Sequence, residues 1–150
     1  MLQLPSLDKV AVSRCLIGEK CRYDGKYSKD LKEFSSCLSI CPEVLGGLSV
    51  PRIPCQIDNG TGEDVLSGKA RIIGSDGNDY TKPFLDGANK ALEMCLNNSI
   101  ETVILKEKSP SCGVNKIYNN GELRDGCGLT CALLKQHGIK VISDCEVFYE

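Results

Sequence analysis

The chain has 150 residues, 41% of them apolar and 25% charged, with a net charge of −2 at pH 7. That length suits one domain with its own core. The near-neutral charge offers no broad basic face for a nucleic-acid polymer, and no apolar run approaches the roughly 18 residues of a membrane helix. The start MLQLPSLDKV lacks the basic and apolar regions of an export signal, so a cytoplasmic protein of one domain, 1–150, is expected.

In chain order, KVAVSRCLIG alternates apolar residues at Val10 and Val12 and predicts a strand that ends in a loop at Cys15. Asp30 is placed to cap a helix over LKEFSSCL, with Leu31, Phe34 and Leu38 at helical spacing, and SICPEV predicts a short strand breaking at Gly46-Gly47. VPRIPCQI and KARIIGSDGNDYT predict either two strands or a strand and a turn. Thr81 is expected to cap a helix whose Phe84, Ala88, Ala91, Leu92 and Cys95 form one apolar stripe. TVIL suits a strand buried on both faces, Asn120-Gly121 a hairpin turn, and GLTCALLKQHGI a helix ended by Gly138 before a last strand, KVISD. Strands alternating with helices predict a three-layer, Rossmann-like α/β domain with a mainly parallel sheet.

Ten cysteines with a single histidine, His137, are the unusual feature. Without an export signal these read as reduced thiols, and a free cysteine packs well as a small hydrophobe, which accounts for Cys37, Cys95 and Cys131. His137, in the last turn of a helix, suits a dipole-complementing or exposed position. Three others fall just beyond strand ends, where open parallel sheets build their sites: Cys15, Cys41 and Cys112. Three thiolates without histidine suit an iron–sulfur cluster, whereas structural zinc favours a fourth ligand and C-x2-C pairs, of which there are none. A cubane held by three cysteines leaves one iron open to an exogenous ligand. Glu43 and Ser109, each within three residues of such a cysteine, can flank that iron as acid/base and orienting groups. The competing readings are ten merely packed thiols, a structural zinc module, or a cysteine-based redox sensor. A nucleotide-binding protein without metal lacks support, because neither G-x-G-x-x-G nor a P-loop occurs.

The blocks SRCLIGEKCRYDGKYS, CPEVLGGLSVPR, TKPFLDGANKAL, ILKEKSPSCGVNKIYNNGE and GCGLTCALLKQHGIKVIS resemble the bacterial and archaeal family known as domain of unknown function 523, over nearly the whole chain. Members studied as thiouracil desulfidases use a [4Fe-4S] cluster bound by three cysteines, leaving one iron without a protein ligand. The resemblance implies Cys15, Cys41 and Cys112 as ligands, with Cys21 of the same first block as the alternative to Cys15, and Glu43 and Ser109 as the catalytic pair. It implies desulfuration of a small thiolated pyrimidine (thiouracil or its nucleoside or nucleotide) without redox change, releasing hydrogen sulfide. Arg22, Gly46, Gly47 and Ser111 are candidates for substrate contacts, and Lys26 and Arg52 for a phosphate anchor. The resemblance carries over no role for Cys55, Cys127, Cys131 or Cys145.

Overall fold

The computed structural model describes residues 4–147. Four parallel strands form its central sheet in the order β2-β1-β5-β8: β1 Val10–Ser13, β2 Leu38–Ile40, β5 Thr102–Leu105 and β8 Lys140–Ser143. Period-2 alternation explains why both faces are dry. Val10, Val12 and Ile104 enter one apolar cluster with Leu16, Leu31 and Phe34, while Ala11, Val103 and Leu105 enter the other, beneath the two longer helices. Those helices are α3, Thr81–Asn97, and α4, Leu129–Gln136. The predicted stripe on α3 is buried from Phe84 to Cys95, and Gly138 ends α4 at φ +79.

A second sheet, in the order β4-β3-β6-β7, was not expected as a separate unit. It comprises β3 Cys55–Asp58, β4 Arg71–Gly74, β6 Lys116–Asn119 and β7 Glu122–Asp125. Its β6–β7 hairpin turns at Asn120-Gly121, both left-handed at φ 52 and 82, as that dipeptide allows. Short helices α1, Pro42–Leu45, α2, Gly62–Leu66, and α5, Asp144–Val147, complete the chain.

Three expectations are corrected. The strand expected over SICPEV ends at Ile40, and Pro42–Leu45 turn into α1 because the fixed φ of Pro42 opens a helix. The stretch 31–38 forms only a 3₁₀ turn, Lys32–Phe34, and then enters β2, because Leu38 pairs with Ala11 of β1 and ladder formation overrides the helical spacing. Thr81 does not cap α3 but is its first residue: its hydroxyl accepts a 2.9 Å hydrogen bond from the Ile72 amide, and its own amide donates to Asp79. Among the described residues no helix is long and apolar enough to cross a membrane.

Candidate functional site

Because β2, β1 and β5 are adjacent and parallel, their C-terminal ends share one edge. A 3₁₀ turn, Arg14–Leu16, carries Cys15 away from β1. Cys41 precedes Pro42 at the start of α1, where proline's fixed φ opens the helix. The loop after β5 carries Ser109 and Cys112. All three thiols line one cavity of about 570 Å³, together with Glu43 and Ser109. The second sheet supplies the opposing wall through Cys55, Gln56 and Tyr118, and Phe84 of α3 contributes an apolar side.

Cys21 also lines this cavity, and its carbonyl oxygen lies 4.0 Å from the Cys41 sulfur. The neighbouring Cys21 thiol is the largest influence lowering the Cys15 thiol to about 7, against the opposing effect of burial and with a hydrogen bond from Ser28. Cys41 is lowered for the same first reason, and Cys21 is raised by the neighbouring Cys15 and Cys41 thiols. Burial pushes Cys112 well up, and the negative charge of Glu43 adds to this.

Glu43 is held by Arg52, whose Nη2 lies 3.3 Å from Oε2; both side chains are largely buried. Arg52 Nη1 donates to the Cys21 carbonyl at 2.9 Å and to that of Ser49 at 3.3 Å, and its amide donates to Tyr23 at 2.7 Å. One guanidinium therefore ties the loop of Cys21 to the acid beside Cys41. Ser109 has a double task. Its oxygen accepts hydrogen bonds from the amides of Ser111 and Cys112, each at 3.0 Å, which shapes the thiol-bearing turn and leaves the hydroxyl proton free to donate elsewhere.

Of the candidate substrate contacts, Arg22 lines the cavity and pairs with Asp24 at 3.3 Å. Gly46, Gly47 and Ser111 lie outside its lining. Gly46 packs so closely on α3 that a Cβ would stand 2.0 Å from the Pro83 carbonyl oxygen, and the Ser111 hydroxyl is buried against Thr130 at 2.6 Å. Lys26 also lies outside it, and Arg52 serves Glu43 instead of standing as a free anchor. Cys37 is buried, but at the entry to β2 instead of on a helix; Cys95 and Cys131 are core as expected. His137 sits at the C-cap of α4 with Nδ1 3.0 Å from the Leu133 carbonyl.

Sequence reasoning missed Glu107. This buried carboxylate takes the amides of Val114, Asn115 and Lys116 on Oε1 at 2.7, 2.8 and 2.9 Å, closing the loop that presents Ser109 and Cys112. Burial opposes its ionisation, but hydrogen bonds from Ser143 and from those amides outweigh it and hold the carboxyl below its ordinary value. Only the buried end of β5 marks it in the sequence. Of the cations on the cavity lining, Arg22 and Arg52 were expected from the sequence, whereas Arg14, Lys106 and Lys108 were not; Arg22, Arg52 and Arg14 are paired with Asp24, Glu43 and Glu19 respectively.

Among the described residues no group of three or more His, Cys, Asp or Glu is gathered to hold a single metal ion. The thiols instead line a cavity wall. A soft, polynuclear iron–sulfur group fits this donor set: separate thiolates on the cavity wall would each hold one iron, and the lysine and arginine side chains of the lining would offset the negative charge of a thiolate-ligated group.

The chain is 44% identical over 146 residues to YbbK of Bacillus subtilis (strain 168), an uncharacterised protein, covering 92% of this chain and 97% of that one. The solved structure of the [4Fe-4S]-dependent thiouracil desulfidase TudS (DUF523Vcz) matches with a TM-score of 0.79 at 40% identity, over 93% of this chain and 92% of that one. The 2-thiouracil desulfurase family profile matches residues 10–146, and this chain belongs to that family.

Proposed function

We propose that the protein is an enzyme that removes sulfur from a thiolated pyrimidine by hydrolysis, R₂C=S + H₂O giving R₂C=O + H₂S, with no net electron transfer. Cys15, Cys41 and Cys112 hold a [4Fe-4S] cluster whose remaining iron takes no protein ligand. The observation that carries the reading is the convergence of these three thiols with Glu43 and Ser109 in one cavity of a chain from this family. When bound, the cluster supplies a soft Lewis acid that takes the thiocarbonyl sulfur and makes the ring carbon electrophilic.

The chain's own groups do the rest. Glu43, steadied by Arg52, takes a proton from the attacking water and returns it to the ring nitrogen or the departing sulfur. The Ser109 hydroxyl, with its oxygen already engaged by two amides, donates its proton to the pyrimidine and orients it. Phe84 and Tyr118 supply apolar surface for the ring.

With Arg14, Arg22 and Arg52 paired to Glu19, Asp24 and Glu43, Lys106 and Lys108 on the cavity wall are the cations that favour a substrate carrying a phosphate over the free base. The test is sulfide release by anaerobically reconstituted protein from thiouracil, its nucleoside and its 5′-monophosphate. The reading expects stoichiometric sulfide and carbonyl product, with kcat/KM highest for the monophosphate and the gap narrowing as salt rises. A fully loaded protein that releases sulfide from none of the three contradicts the activity. Equal kcat/KM at low salt contradicts the phosphate preference alone.

A further inference from the structure

Five cysteines line the cavity, and two of them, Cys21 and Cys55, are not used by the proposed activity; Cys55 lies on the second sheet with its thiol on the Ile53 carbonyl at 3.5 Å, whereas Cys21 lies on the loop that follows Cys15. Cys21 is 7% exposed. A thiol that merely fills core space faces aliphatic carbon, but Cys21 lines the same open cavity as Cys15, Cys41 and Cys112, and its carbonyl oxygen lies 4.0 Å from the Cys41 sulfur, one of the three assigned ligands. Its position is fixed from both sides. The Cys21 amide donates to the Glu19 carbonyl at 2.9 Å, and its own carbonyl is held at 2.9 Å by Arg52, the residue that also holds Glu43. The loop that brings it back toward Cys15 turns at Gly18, left-handed at φ +85, and is sealed by the Gly18 amide on the Lys29 carbonyl at 2.8 Å. The fold therefore brings Cys21 back to the thiol wall by specific contacts.

Resting on the reading of a three-cysteine cluster in this cavity, we propose that Cys21 is a reserve ligand, whose sulfur takes the iron that Cys15, Cys41 and Cys112 leave open when no substrate is bound, and cedes it to the substrate's sulfur. On capping, the Cys21 S–H gives its proton to solvent, a sulfur–iron bond forms, and a solvent ligand leaves the iron. On opening, the thiocarbonyl sulfur takes that place and the Cys21 sulfur regains a proton. Neither step changes the oxidation state of sulfur or iron. An iron with an exchangeable solvent ligand is the first to leave a cubane under oxidants, so the cap protects the resting enzyme. It also competes with substrate: a cap in place nine-tenths of the time raises the apparent KM about tenfold.

The test compares wild type, Cys21→Ala and Cys21→Ser after anaerobic reconstitution. Three readouts do not depend on turnover: iron and sulfide per chain, the rate at which ferricyanide converts the four-iron centre to the three-iron form by electron paramagnetic resonance, and the optical response to millimolar 2-mercaptoethanol as a small thiol probe. The proposal expects full clusters in all three proteins, loss of the open iron about tenfold faster in both variants, a mercaptoethanol response in the variants alone, and an apparent KM lower by a similar factor. Equal rates and equal thiol responses overturn it. So does failure of the variants to hold a cluster while Cys15→Ala retains one, which makes Cys21 an obligatory ligand in place of Cys15. A wild type that assembles no cluster overturns the proposed function as well, whereas a full wild-type cluster with unchanged variants overturns this proposal alone.

Discussion

At the scale of single residues, two buried carboxylates divide the work. Glu43 lines the cavity and shares Arg52 with the loop of Cys21, which is the position the proposed acid/base role requires. Glu43→Gln keeps shape while losing proton transfer; turnover should fall by about 10²- to 10⁴-fold with iron content unchanged. Turnover within a few-fold of wild type would remove Glu43 from the mechanism. Glu107 faces backbone amides, and its charge belongs to the fold. Its carboxyl is lowered in the folded state, so its contribution is fully present above the ordinary carboxylate value and is lost as pH falls through the lower, folded one. Glu107→Ala should cost roughly 3 kcal/mol near neutral pH, read by urea unfolding, and the penalty should shrink in acid. A penalty independent of pH would show that packing, not charge, sets the loop.

At the scale of elements, the site depends on how closely α1 lies on α3. A Cβ on Gly87 of α3 would stand 1.8 Å from the Pro42 carbonyl oxygen, so the two backbones touch beside Cys41 and Glu43. In an ordinary helix, Gly to Ala gains up to about 1 kcal/mol. Here Gly87→Ala should lose about 2 kcal/mol in urea unfolding and lower the iron content, because α1 must move. A stabilised variant with full iron would contradict the close approach. These elements differed in how far the sequence disclosed them. The stripe from Phe84 to Cys95, the alternation of Val10 and Val12, and the Asn120-Gly121 turn are local patterns, and each forms the element expected of it. The 31–38 stretch has an equally clear helical spacing, yet pairing of Leu38 with Ala11 decides its outcome, and such a contact across 27 residues leaves no local trace.

At the scale of the whole molecule, the parallel order β2-β1-β5 converts three cysteines far apart in sequence into neighbours at one sheet edge. Strand-end position picked out three of the five cysteines that line the cavity; Cys21 and Cys55 join them there from a loop and from the second sheet. The second sheet was not legible as a unit, because β3 meets β6 across some sixty residues and only the folded chain makes it the far wall of the cavity. For the same reason the Arg52–Glu43 pair and the places of Arg14, Lys106 and Lys108 on the cavity lining escaped sequence reading. Gly46, Gly47 and Ser111 sit in conspicuous motifs, but outside the cavity lining they serve close packing on α3, a left-handed turn at φ +90 and a buried hydroxyl pair respectively.

The central claim is that Cys15, Cys41 and Cys112 hold the cluster, and it is tested most directly by iron and acid-labile sulfide per chain after anaerobic reconstitution, in wild type and in Cys15→Ser, Cys41→Ser and Cys112→Ser. The account predicts about four irons and four sulfides in wild type and loss of most of both in each variant. A wild type that binds no iron, or variants that keep the full complement, would contradict it.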